Sequence, residues 1–251
     1  MTALAIERPS PNRDSRPVGG PIDILLLHYT GMRSAAAALD RLTDSEAKVS
    51  SHYLIDEDGT VYALVPEAAR AWHAGVAFWA GARDINARSI GIELVNPGHE
   101  FGYRPFPPAQ LGALATLARD ILRRHPIPAQ RVLGHSDVAP ARKQDPGELF
   151  DWPYLARAGI GLWPFAGKPE AEAGASRSQL DESALAAYQE DLARLGYGIE
   201  ATGALDETTR LVTTAFQRHF RPRRVDGVAD AETRARVAIL LARIGEGEAA
   251  T

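Results

Sequence analysis

His28, Glu93 and His135 each sit in or at the end of a run that is otherwise apolar. Ile24-Leu-Leu-Leu27 leads into His28, Ile90-Gly-Ile92 into Glu93, and Val132-Leu-Gly134 into His135. Ligand crevices of α/β sheets form at the carboxyl ends of strands, so two histidines at such ends are candidates for chemistry. A carboxylate between aliphatic neighbours needs a positive partner or a metal, because burying an unpaired charge is costly. Two histidines and one carboxylate, with one coordination position left open, make up a catalytic zinc site. The carboxylate belongs in the loop after His135, where Asp137 and Asp145 both qualify, and spacing and composition leave that choice open. His99, His125 and His219 read as structural, in a Gly/Pro loop, a last helical turn and a helix face respectively.

The surrounding pattern says what must position these groups. Ile22–Leu27 and Ser89–Val95 are short and nearly continuously apolar, which suits buried central strands. Ser51–Ile55 and Thr60–Tyr62 flank Asp58-Gly59 and predict a hairpin. Residues 34–42 look helical. Leu111, Leu114, Leu117, Ala118, Ile121 and Leu122 recur at helical spacing, predicting an amphipathic helix over 108–124 that Pro126 stops. Alternating strands and helices imply an α/β fold with a mixed central sheet. Residues 1–21, with Pro9, Pro11, Pro17 and Pro21, read as an extended lead-in on the surface.

The chain has 251 residues and a formal net charge of -4, which gives no general attraction to phosphate backbones, so nucleic acid is not an expected partner. It has no cysteine, so any metal must be held by His, Asp or Glu. Its apolar runs are far shorter than the roughly 20 residues a membrane span needs. Glu7 and Arg8 interrupt the apolar start, so the expectation is a cytoplasmic protein, with the periplasm as the alternative.

Residues 166–178, AGKPEAEAGASRS, read as a linker between a unit over 1–165 and a three-helix unit over 179–246. In the second unit Gly203-Ala-Leu-Asp-Glu-Thr-Thr-Arg210 recurs as Gly227-Val-Ala-Asp-Ala-Glu-Thr-Arg234, and each copy supplies a turn, a capping Asp and a helix start. At about 65 residues this unit is near the lower size limit for a core of its own.

Five blocks in order across residues 20–155 carry a resemblance. They are Leu27-His-Tyr-Thr30, Ser51-His-Tyr-Leu-Ile55, Ala71-Trp-His-Ala-Gly75, Ser89-Ile-Gly-Ile-Glu-Leu94 and Gly134–Gly147, GHSDVAPARKQDPG. Together they resemble the type-2 (AmpD-like) family of N-acetylmuramoyl-L-alanine amidases. The resemblance implies one Zn²⁺ per chain held by His28, His135 and Asp145, with Asp137 structuring the loop. It also implies Glu93 as proton shuttle, Lys143 facing the developing oxyanion, and muropeptides or peptidoglycan fragments as substrate. Tyr29, Trp72 and His73 are then expected to line the substrate site, Trp72 by stacking on sugar, while His52 reads equally as core or as support for the site. The residue before His52 is Ser51 and Glu93 is present, which favours the AmpD-like branch over phage-lysozyme-like relatives. Leu195-Gly-Tyr197, the repeat, Phe216-Gln217 and Val225-Asp-Gly227 resemble the type-1 peptidoglycan-binding domain.

Two other classes compete. A non-catalytic peptidoglycan-binding or sensing protein on this fold would lack a zinc ligand or the shuttle, and both are present. A non-haem iron oxygenase also uses two histidines and a carboxylate, and His135-Ser-Asp137 mimics part of its set. The only later histidine is His219, in the helical unit.

Overall fold

Side chains alternate faces along the central strands, and that alternation sets the layers. The computed structural model describes residues 5–165 and 180–249. Its strands are β1 (Ile6–Glu7), β2 (Arg13–Ser15), β3 (Ile24–Tyr29), β4 (Tyr53–Ile55), β5 (Val61–Ala63), β6 (Ala69–Ala71), β7 (Ser89–Leu94) and β8 (Val132–Gly134). The helices are α1 (Ala35–Thr43), α2 (Ile85–Arg88), α3 (Gly98–Phe101), α4 (Pro108–Arg124), α5 (His135–Val138), α6 (Trp152–Arg157), α7 (Glu182–Leu195), α8 (Glu207–Phe220) and α9 (Ala231–Ala249). A six-stranded sheet runs in the order β1-β5-β4-β7-β3-β8, while β2 and β6 pair separately. Only β4 and β5 are antiparallel within the large sheet. The α/β class with a mixed sheet is therefore as expected, and so is the hairpin at Asp58-Gly59, where Gly59 takes φ 90°.

One face of the sheet presents Leu25, Leu27, Ile90, Ile92 and Val132, and α4 covers it with Leu111, Leu114, Leu117, Ala118 and Ile121. Pro108 opens that helix, where a missing N–H costs nothing. Each such buried leucine or isoleucine contributes about 1.5–3 kcal/mol of transfer free energy. The opposite face carries Ile24, Leu26 and Leu133. The same alternation puts His28, Ser89, Gly91 and Glu93 on this second face, because β3 and β7 run parallel with Ile24 beside Ser89, Leu26 beside Gly91 and His28 beside Glu93.

Helices α8 and α9 start where the repeat predicts, with Asp206 and Asp230 accepting from the N–H groups of Thr209 and Thr233. Asp181 caps α7 in the same way, accepting from Ala184 N–H. A buried glutamine clamps each copy of the repeat. Gln189 donates to Ala204 O and accepts from Gly203 N–H, while Gln217 donates to Val228 O and accepts from Gly227 N–H.

Two expectations change. The three-helix unit does not keep its apolar residues to itself: Leu185, Tyr188, Val212, Phe216 and Val237 share one cluster with Ile24, Leu26, Trp79 and Leu133. The physical reason is that so small a unit buries too little surface alone, while the sheet face opposite α4 needs a cover. The lead-in is also not merely extended, since β1 adds an edge strand beside β5 and β2 pairs with β6. The expected linker lies outside the described residues. Among those residues, no helix is long and apolar enough to cross a membrane.

Candidate active site

Three buried side chains converge at the carboxyl end of β3. His28 Nδ1 and His135 Nδ1 are 2.9 Å apart, and Asp145 Oδ2 is 3.1 Å from each. His28 is the fifth residue of β3, one position inside the strand end. His135 opens α5 directly after β8, which pairs with β3. Asp145 reaches the same point because the loop folds back: Ser136 N–H donates to Asp145 O at 2.9 Å, tying its two ligand-bearing ends together.

The hydrogen bonds behind the rings fix which nitrogens are bare. Ser89 Oγ donates to Ile85 O at 2.7 Å, so it can only accept from His73 Nε2, 3.4 Å away. That leaves His73 Nδ1 bare to accept from His28 Nε2–H at 3.0 Å, and His28 Nδ1 is bare in turn. Separately, His135 Nε2 faces Ala74 O at 3.0 Å; a carbonyl only accepts, so the neutral tautomer that fits carries its proton on Nε2 and leaves Nδ1 bare. Burial lowers the His28 pKa to about 4, keeping the ring neutral at pH 7.

Two bare lone pairs and a carboxylate facing one point repel each other unless a cation sits between them. The spacing approaches the roughly 3.3 Å that a tetrahedral ion with bonds of about 2.0–2.1 Å imposes. Two nitrogens and one oxygen, with a fourth direction open to a cavity of about 360 Å³, suit zinc in a catalytic rather than a structural role.

Glu93 and Lys143 line that cavity with the three convergent residues. Glu93 Oε2 is enclosed and has no hydrogen-bond partner among the described residues, which marks it as a group awaiting one. Burial first and the charge of Asp145 second raise its pKa well above the ordinary carboxyl value, against the pull of Lys143. A carboxyl so tuned is closer to the working pH of a general base.

Of the other expected residues, Tyr29 and His73 line the cavity and Trp72 does not. The chain bends at Trp72, just past β6, and the N–H groups of His73 and Ala74 both turn to Asn86 Oδ1. Trp72 instead ties its backbone to Ser50, donating to Ser50 Oγ at 2.9 Å. His73 lies over Gly91, where a Cβ would come within 2.6 Å of the imidazole. The missing side chain at 91 makes the room in which His73 reaches His28. Replacing His73 by alanine is therefore expected to weaken zinc binding by about ten- to a hundredfold, measured by chelator competition. An unchanged dissociation constant would show that His28 needs no such support.

His52 is core. Its Nδ1 accepts from Gly91 N–H at 3.0 Å, and burial with the adjacent Arg16 lowers its pKa to about 3. Asp137 is not part of the triangle: its carboxyl accepts from Gly134 N–H at 2.8 Å and from Tyr197 and His219 of the C-terminal unit. The iron-type ligand pair His135/Asp137 is thereby excluded. The Arg142 guanidinium donates to Ala74 O and Val76 O and ties the 72–76 segment to the ligand loop. No local pattern announces that bond. Arg41, Gln144 and Met32 also line the cavity, likewise without a signal in the sequence.

Comparison with known proteins finds the same arrangement of parts. Residues 18–148 match the N-acetylmuramoyl-L-alanine amidase family model, and residues 181–237 match that of the peptidoglycan binding domain. The chain is 41% identical over 237 residues to N-acetylmuramoyl-L-alanine amidase AmiD of Escherichia coli K12, covering 90% of this chain and 84% of the relative. It resembles the structure of E. coli AmiD in complex with the substrate anhydro-N-acetylmuramic acid-L-Ala-D-γ-Glu-L-Lys, with a TM-score of 0.76 and 39% identity over 92% of this chain and 93% of the other. It also resembles AmpDh3 of Pseudomonas aeruginosa in complex with anhydromuramic pentapeptide, with a TM-score of 0.75 and 35% identity over 90% and 94% of the two chains.

Proposed function

We propose, from the premise that the chain belongs to the N-acetylmuramoyl-L-alanine amidase family, that it cleaves the amide between the lactyl group of N-acetylmuramic acid and the L-alanine of a peptidoglycan stem peptide. The observation that carries this reading is the buried triangle of His28, His135 and Asp145 beside Glu93 in one open cavity. Its substrates are muropeptides, including the 1,6-anhydro form, which the two substrate-bound relatives support. The division into an amidase unit over 1–165, a linker over 166–178 and a peptidoglycan-binding-like unit over 179–246 belongs to the same proposal; the two family matches support it.

His28, His135 and Asp145 hold one Zn²⁺. When bound, the ion supplies Lewis acidity and lowers the pKa of a water from 15.7 to about 7. Glu93 takes the water proton as attack on the amide carbonyl begins, its raised pKa matching it to that task. Lys143, at the same cavity wall, donates to the oxygen that becomes negative. Glu93 then returns the proton to the departing amine of L-alanine. Tyr29 lines the wall against which the muramyl peptide lies.

The test is hydrolysis of an anhydro-muramyl tripeptide, following release of the free L-alanine amine. Protein with about one zinc per chain is expected to cleave it, stripped protein is expected to lose the activity, and zinc is expected to restore it. Full activity after complete stripping, or no cleavage by the zinc-loaded chain, would sink the proposal. Running intact sacculi in parallel reports whether fragments or polymer are the better substrate.

A further inference from the structure

The loop carrying three of the proposed site residues, His135, Lys143 and Asp145, is held from outside the amidase unit. Asp137, only 1% exposed, stands near its start and accepts three hydrogen bonds. Gly134 N–H, immediately before the ligand His135, donates to Oδ2 at 2.8 Å. The other two donors come from the C-terminal unit, Tyr197 from the turn after α7 and His219 from α8. Tyr197 OH donates to Oδ1 at 2.7 Å, and His219 Nδ1 donates to Oδ2 at 2.7 Å.

Both donors are fixed in place. Burial first and the Asp137 charge second hold the Tyr197 hydroxyl well above its ordinary pKa, so it stays a donor. The His219 ring is stacked between Trp152, at 3.6 Å between centroids, and Phe220, at 3.7 Å. One residue earlier on α8, Arg218 donates to Gln144 Oε1 at 3.2 Å, beside Asp145. The second unit thus grips the ligand loop near both ends.

We infer that Tyr197 and His219 are positioning residues of the hydrolase: through Asp137 they set where the ligand loop presents His135 and Asp145. The inference rests on the metal reading proposed above. Without the two C-terminal donors a buried carboxyl would keep only Gly134 N–H, and a carboxyl so left moves toward water or another donor. Its movement drags Gly134 and the adjoining ligand with it. Support of this kind behind a metal ligand changes affinity by about ten- to a hundredfold.

The experiment uses the full chain with Tyr197→Phe, His219→Phe and the double variant. Phenylalanine at 219 keeps a ring for the stack and removes the donor, whereas His219→Asn restores an N–H near the Nδ1 position. Tyr188→Phe is the control, since it removes a buried hydroxyl bond to Thr213 inside the helical unit without touching Asp137. Zinc dissociation constants from chelator competition, the visible spectrum of the Co²⁺-loaded protein and far-UV circular dichroism are the readouts. Expected are zinc binding at least tenfold weaker and an altered Co²⁺ spectrum in the double variant, smaller losses in each single one, recovery in His219→Asn and no change in Tyr188→Phe. If the double variant does not fold, the single variants carry the test. Folded variants that bind zinc as the wild type does, or a Tyr188→Phe loss as large as theirs, overturn the inference while the metal reading stands. A wild-type chain that binds no zinc sinks both.

Discussion

Glutamine in place of Glu93 is expected to leave about one zinc per chain and to lower turnover by about 10²–10⁴-fold. The amide is nearly isosteric with the carboxyl and fits the same half-buried position on β7. What it lacks is an oxygen that can take a proton and give it back. Glu93 Oε2 has no partner among the surrounding protein groups, so no internal network is broken by the change. Removing a carboxyl that burial already penalises is also expected to leave the fold intact or slightly firmer, because the charged form no longer has to be accommodated beside Asp145. The combination separates proton transfer from metal binding: kcat falls, zinc content holds and the thermal midpoint does not drop. A variant within a few-fold of wild-type kcat on anhydro-muramyl peptide would remove Glu93 from the mechanism.

How much of this was legible beforehand depended on whether the signal was local. His28 and Glu93 stood out because each interrupts an aliphatic strand, and the parallel register of β3 and β7 places them side by side. Helix α4 runs from Pro108 to Arg124 as its leucine spacing predicts. The choice of Asp145 over Asp137 could not be read from spacing, because both follow His135 in one loop; only the fold-back through Ser136 N–H and the capture of Asp137 by other donors separate them. The side taken by Trp72 depended on a bend just past β6, which no pattern in 71–75 announces. The support of His28 by His73 required a gap at Gly91, on a strand distant in sequence. The docking of the C-terminal helices was hidden for another reason. Tyr197 follows a helix-ending glycine and His219 rides a helix face, both ordinary places, and their partner lies 60 and 82 residues away respectively.

Removing the carboxylate at 145 tests the other half of the site. With Asp145→Ala, two neutral imidazoles remain and the charge that balances a divalent cation is gone. Stripping one partner from a buried charge pair costs about 3–5 kcal/mol, or roughly a hundred- to several-thousand-fold in zinc affinity. At zinc concentrations that saturate the wild type, the variant is therefore expected to hold little metal and to show no measurable hydrolysis. It should also lose the zinc-dependent rise in thermal midpoint, since that increment follows from binding to the folded state alone. Asp137→Ala makes the informative contrast. That change removes the acceptor shared by Gly134, Tyr197 and His219, so its first effect is on thermal stability in the absence of metal, with weaker zinc binding as a consequence. A metal ligand and a structural acceptor eight residues apart are thus told apart by which measurement moves first in the apo protein. If Asp145→Ala kept wild-type zinc affinity while Asp137→Ala lost the metal without destabilising the apo chain, the assignment of the two aspartates would have to be exchanged.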